Sequence, residues 1–142
     1  MLGRNSYTQE EFDHAKRAID QQIAAYKKLA KAAGAPSDPK LTAALEAFEV
    51  RFFNNMTLVL DRYFVHRVRM VAGKDGNALN EVELMADSLM NNDGVLRANN
   101  VIKLIPDQSV LKLNFGDPIR LTAAQFERLC KAFFTEIQAK FM

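Results

Sequence analysis

The sequence predicts a mainly α-helical, α+β domain: a four-helix bundle-like core with a long central helix, plus a two- to three-stranded antiparallel β-meander before the C-terminal helix. Three observations lead there. Capping boxes open helical patterns at Thr8 and Thr122. Apolar residues recur at a spacing of three and four over most of the chain, and the period drops to two between residues 102 and 121. The 142 residues, 49% hydrophobic and 25% charged, fit a single domain spanning residues 1–142.

Thr8-Gln9-Glu10-Glu11 has the T-x-x-E form of a helix start, and Phe12, Ile19, Ile23, Tyr26 and Ala30 then mark one face. Gly34 supplies a helix stop, and Ala35-Pro36-Ser37-Asp38-Pro39 a turn with Asp38 as cap and Pro39 at the first helical position. The second helical segment is expected over residues 39–72 and carries two apolar rows. Leu41, Leu45, Phe48, Phe52, Val59, Tyr63 and Met70 form one; Val50, Phe53, Leu60, Phe64, Val68 and Val71 form the other. A helix apolar on more than one side belongs at the centre of a bundle. At 1.5 Å per residue it would reach about 50 Å, against a domain diameter near ~37 Å. Such a helix must either break, with Asn54-Asn55 the expected place, or overhang and bury its excess in a second subunit.

Gly73-Lys74-Asp75-Gly76-Asn77 reads as a tight loop whose Asn77 caps a third helix over residues 78–91, with Val82, Met85 and Leu89 inward and Asn91-Asn92-Asp93-Gly94 as its stop. Alternation in Ile102-Lys103-Leu104, Leu111-Lys112-Leu113-Asn114-Phe115 and Ile119-Arg120-Leu121 predicts the meander. Thr122-Ala123-Ala124-Gln125 opens the last helix, whose Phe126, Leu129, Cys130, Phe133, Phe134, Ile137 and Phe141 are expected to cover it.

Charge is uneven. Residues 51–74 hold Arg51, Arg62, Arg67, Arg69 and Lys74 against Asp61, a balance of 5 − 1 = +4. Residues 75–100 hold Asp75, Glu81, Glu83, Asp87 and Asp93 against Arg97, or 1 − 5 = −4. Neutralisation across a helical hairpin is expected, and an overall charge of +2 argues against nucleic acid as a partner. The apolar window at 52–60 is too short and too polar to cross a membrane, and the first residues lack the apolar core of a signal peptide. With one cysteine, Cys130, no internal disulfide can form. A cytoplasmic protein with no membrane attachment is expected.

On a continuous helix Asn55, Arg62, His66 and Arg69 share one edge. His66 is then the candidate general base, with Asp61 and Arg62 the other candidate catalytic residues. Arg62 or Arg69 would clamp a phosphate or carboxylate. Asn54, Asn55, Arg69 and Lys74 are the candidate binding residues for a small anionic ligand. Arg62 and His66 on one helix resemble the arginine-and-histidine arrangement of the HEPN group of all-α ribonucleases, as do the chain's size and helix content. The resemblance implies a dimeric helical domain with ribonuclease chemistry. It stops at the spacing, since only Tyr63, Phe64 and Val65 intervene where that group has four to six residues, and at the meander.

No metal and no cofactor is expected: His14 and His66 are the only histidines, and Glu11-Phe12-Asp13-His14 is a single Glu-x-x-His unit. No catalytic signature is complete. The expected function is therefore a non-catalytic interaction or regulatory helical module that homodimerises. The alternative is a small hydrolase or ribonuclease-like enzyme using His66 with Arg62 and Arg69.

Overall fold

The computed structural model describes residues 3–35 and 37–142. Four long helices and one single-turn helix follow in the order α1 (Gln9–Ala33), α2 (Pro39–Tyr63), α3 (Arg69–Ala72), α4 (Ala78–Asn91) and α5 (Ala123–Phe141). The capping boxes form as predicted: Thr8 Oγ1 accepts from the Glu11 amide while the Glu11 carboxylate accepts from the Thr8 amide, and Thr122 and Gln125 repeat the exchange. Asp38 and Asn77 cap α2 and α4. Gly34 ends α1 with φ 66°, a conformation that costs a glycine little.

The core lies where α2, α4 and α5 meet, with the first half of α1 against them. Ile19, Phe53, Leu60, Leu79, Leu84, Leu121, Phe126 and Phe133 are fully enclosed there. Phe64 packs edge-on against Tyr7 and Phe134 and tilted against Phe133, geometries in which ring edges meet ring faces.

Two expectations need correction. The second helix is not continuous to residue 72, and it does not break at Asn54-Asn55. It runs unbroken through both asparagines, ends at Tyr63, and resumes as α3 after a turn. Asn54 needs no helix break because its side chain bonds outside the helix. Its Nδ2 donates to the Ile119 carbonyl at 2.8 Å and its Oδ1 accepts from the Leu121 amide at 3.1 Å.

The β-meander is absent: the described residues contain isolated bridges, Arg4 with Arg67 and Val95 with Pro118, but no strand and no sheet. The period of two reports burial only in part, since Phe115 is exposed and Leu113 half-buried. Ile102, Leu104, Leu111, Ile119 and Leu121 are buried, and Lys103, Lys112 and Arg120 are exposed. What fails is pairing. A 3-10 turn occupies Pro106–Gln108, Lys112 and Gly116 take φ values of 56° and 96°, and Pro118 has no amide to donate. The segment is an irregular strap across the helices, and helix side chains bond its backbone in place of neighbouring strands.

Among these side chains Glu81 is the charged one that lies deepest. It is 2% exposed, and its two carboxylate oxygens accept from the amides of Val110 and Leu111 at 2.8 and 3.1 Å. Burial raises its pKa above the usual glutamate value, an effect the two amides partly oppose. In the folded protein the proton is therefore held to higher pH than in the unfolded chain, so this group's contribution to stability is greatest below pH 4.5 and declines as pH rises through its native pKa. The difference in unfolding free energy between wild type and Glu81→Gln, from urea titrations at a series of pH values, is expected to fall over that range and then level off. A pH-independent difference would contradict the assignment.

Candidate functional site

The end of α2 and the turn after it hold most of the predicted site residues, and the structure separates them. Asp61 and Arg62 lie in the last turn of α2, His66 in the turn itself, and Arg69 at the start of α3. The edge expected for Asn55, Arg62, His66 and Arg69 required one uninterrupted helix, and that helix ends before His66 is reached. Asn55, Arg62 and His66 are exposed. Lys74 is also exposed, in the loop before α4, and Asn54 holds the strap.

Two arginines are engaged internally. Arg69 donates to Glu83 of α4 at 2.6 Å, the expected neutralisation between the basic and acidic segments, although its buried Nε has no partner among the described residues. Arg67 is the residue that spacing does not single out. Its side chain is 5% exposed, and one guanidinium nitrogen contacts the Asp61 carboxylate at 2.8 Å. The group also donates to the carbonyls of Phe64 (3.0 Å), Asp61 and Leu79 (both 3.4 Å), and lies over the Phe133 ring. A helix end leaves carbonyls unpaired, and a planar cation with several donors can bond several of them at once. Arg67 thereby closes α2 and ties the turn to α4. Arg4 pairs with the far side of the turn, its amide donating to the His66 carbonyl and its carbonyl accepting from the Val68 amide.

An open groove of about 890 Å³ lies between the second half of α2 and α4. Leu58, Val59, Tyr63, Val65, Ala86 and Met90 give it an apolar lining, with Arg62 on one side and Glu83 and Asp87 on the other. Of the predicted catalytic residues Asp61 and Arg62 line it and His66 does not. Asp61 is already bonded to Arg67, and Asp87 and Glu83 across the groove are bonded to Asn91 and Arg69. Cys130 is buried and burial pushes its thiol pKa well above the usual value, which makes it a core residue and a poor nucleophile.

The more conspicuous feature is the outer row of α2. Of the two apolar rows, Phe53, Leu60 and Phe64 build the core. In the other, Leu41 (43%), Phe48 (42%), Val59 (39%) and Tyr63 (38%) are exposed, while Leu45 and Phe52 are half-buried. Between residues 24 and 52, no described residue is buried. The second half of α1 and the first half of α2 thus form a two-helix arm, held by Tyr26 stacked on Phe48 and Phe52. Toward the arm's end the core row turns polar at Thr42, Glu46 and Glu49 while the outer row stays apolar.

No protein-family model matches the chain, and neither a curated protein nor a solved structure matches it.

Arg67→Ala would leave the Asp61 carboxylate and the α2 carbonyls without their donor, at a cost of about 3 kcal/mol or more. Arg62→Ala, at an exposed position, should change stability by about 0.5 kcal/mol or less. Urea unfolding of the two variants checks the contrast; equal effects would contradict the role given to Arg67.

Proposed function

We propose that the protein is a non-catalytic interaction module that self-associates, and that the outer row of α2 is the surface it uses. The supporting observation is the exposure of Leu41, Phe48, Val59 and Tyr63 along one side of a helix whose other side already fills the core. Apolar side chains scattered over a surface need no explanation, but a row extending over about 33 Å of helix does. At the remaining candidate site Asp61, Arg69 and Asn54 are engaged in structure, with Arg67, Glu83 and the strap, while Arg62 and His66 stand exposed and only Arg62 lines the groove. The reading favours binding over catalysis for that reason.

Sedimentation equilibrium at tens of micromolar is expected to give a dimer. Leu41→Glu places a charge on the row at a position that contributes nothing to the core, so the variant should sediment as a folded monomer with an unchanged far-UV spectrum. A wild-type protein that is a compact monomer at that concentration would refute the proposal.

A further inference from the structure

The arm carries the whole of the chain's net charge. Residues 24–52 hold Lys27, Lys28, Lys31, Lys40 and Arg51 against Asp38, Glu46 and Glu49, a balance of 5 − 3 = +2, equal to that of the full chain. The cations gather at its end, where residues 27–41 hold four lysines against Asp38 alone, 4 − 1 = +3. From this concentration, and from the leucines that stand among the lysines, we infer that the end of the arm docks on an anionic lipid surface. Such docking is independent of the self-association proposed above.

Little of this charge is engaged elsewhere. Lys27 reaches Glu127 at 2.6 Å, but Lys28, Lys31 and Lys40 are exposed and enter none of the ion pairs among the described residues. Asp38 is occupied in capping α2, its carboxylate accepting from the Lys40 amide at 2.9 Å. Lys31 suits the negative C-terminal end of α1. Lys40 is different: it stands in the first turn of α2, where the helix dipole disfavours a cation, and no acid accompanies it in that turn. The electrostatics of the helix oppose that lysine, and an anionic surface would favour it.

Apolar side chains accompany the charge. Leu29 is 46% and Leu41 43% exposed, and Ala32, Ala35, Ala43 and Ala44 are exposed beside them. Lysines with leucines on a surface helix suit a membrane interface, the cations at the headgroups and the apolar side chains at the acyl boundary. Four lysines reach the lower end of the clusters that bind acidic phospholipids. Shape selects the lipid over an acidic protein. The arm's end is a hairpin with no buried described residue, so it offers no wall to hold a peptide, whereas a fluid surface yields around a convex tip. Glu46, exposed farther along α2, opposes the contact but is outnumbered, and Glu49 is bonded to the Ala123 amide. The expectation of no membrane attachment concerns spanning and leader segments and does not bear on surface docking.

The test is co-sedimentation of the full chain with vesicles at low salt. Binding is expected to phosphatidylcholine vesicles containing about one third phosphatidylserine, to weaken as salt is raised, and to be absent with phosphatidylcholine alone. Lys28→Gln with Lys31→Gln should weaken it about thirtyfold and leave the far-UV spectrum unchanged, since both positions are exposed. Leu29→Trp places the chain's only tryptophan among the lysines, and its emission should move to the blue on the anionic vesicles. No binding to those vesicles, binding that survives loss of both lysines, or an emission that stays that of a solvated side chain overturns the lipid contact. The last of these, with equal binding to heparin, would mark a site for soluble polyanions instead. Sedimentation equilibrium separates this contact from self-association, because neither Lys28 nor Lys31 lies on the outer row of α2. Vesicle binding by a monomeric chain supports the lipid contact and refutes the other proposal; a dimer indifferent to anionic vesicles does the reverse.

Discussion

Between residues 95 and 123 the chain crosses the helices without regular structure of its own beyond one short turn, yet much of it is buried. Each backbone amide and carbonyl removed from water there must still be bonded, since an unpaired one costs as much as a lost hydrogen bond. Helix side chains meet much of that requirement. Asn54 takes both a carbonyl and an amide of the strap, Glu81 takes two amides, Ser88 accepts from Arg97, and Glu49 accepts from the Ala123 amide that begins α5. Other bonds are local, with Asn99, Ser109 and Asp117 accepting from amides a few residues away, or join the strap's two ends, where Leu96 bonds Asp117 and Gly116 and the Ile119 amide donates to the Gly94 carbonyl. The positions of α2, α4 and α5 are coupled through this strap, because moving any one of them would strand polar groups on it.

The end of α2 obeys the same rule with a cation in place of a carboxylate. At the stop, Phe64 packs into the aromatic cluster with Tyr7, Phe133 and Phe134. The stop leaves carbonyls that face protein, and Arg67 supplies the donors. Its charge is balanced by Asp61, so this guanidinium is consumed by the fold. Paired buried ions of this type are sensitive to loss of either partner and contribute little net stability as a pair.

Helix boundaries with chemical punctuation are legible from residues alone: Thr8, Asp38, Asn77 and Thr122 all cap as their spacing predicts. The end of α2 is not, because no glycine or proline marks it and the cause is a tertiary contact made by Arg67. Alternation in the strap predicts strand pairing, whereas a period of two records only that one side of an extended chain faces the core. Which groups bond the chain's edges is a separate question, and here the answers lie on α2 and α4, tens of residues away in sequence. Asn54 stands out in the sequence as an amide in need of partners, but its partners cannot be named without the strap's path. Asn55, its neighbour, carries no such duty, as one step along a helix turns a side chain by about 100°.

The two rows of α2 explain why the same helix can be both core and surface. From Phe53 onward the core row meets α4 and α5; before it, Thr42, Glu46 and Glu49 occupy that row, so nothing in the chain's own fold is prepared to cover the arm. The outer row makes no such change. Leu41, Leu45, Phe48 and Phe52 keep it apolar to the end of the arm, although each apolar side chain left in water forgoes about 1 kcal/mol or more of burial. Part of that apolar character serves the arm itself, because Phe48 and Phe52 stack on Tyr26 of α1, while Leu41 beyond them stays 43% exposed.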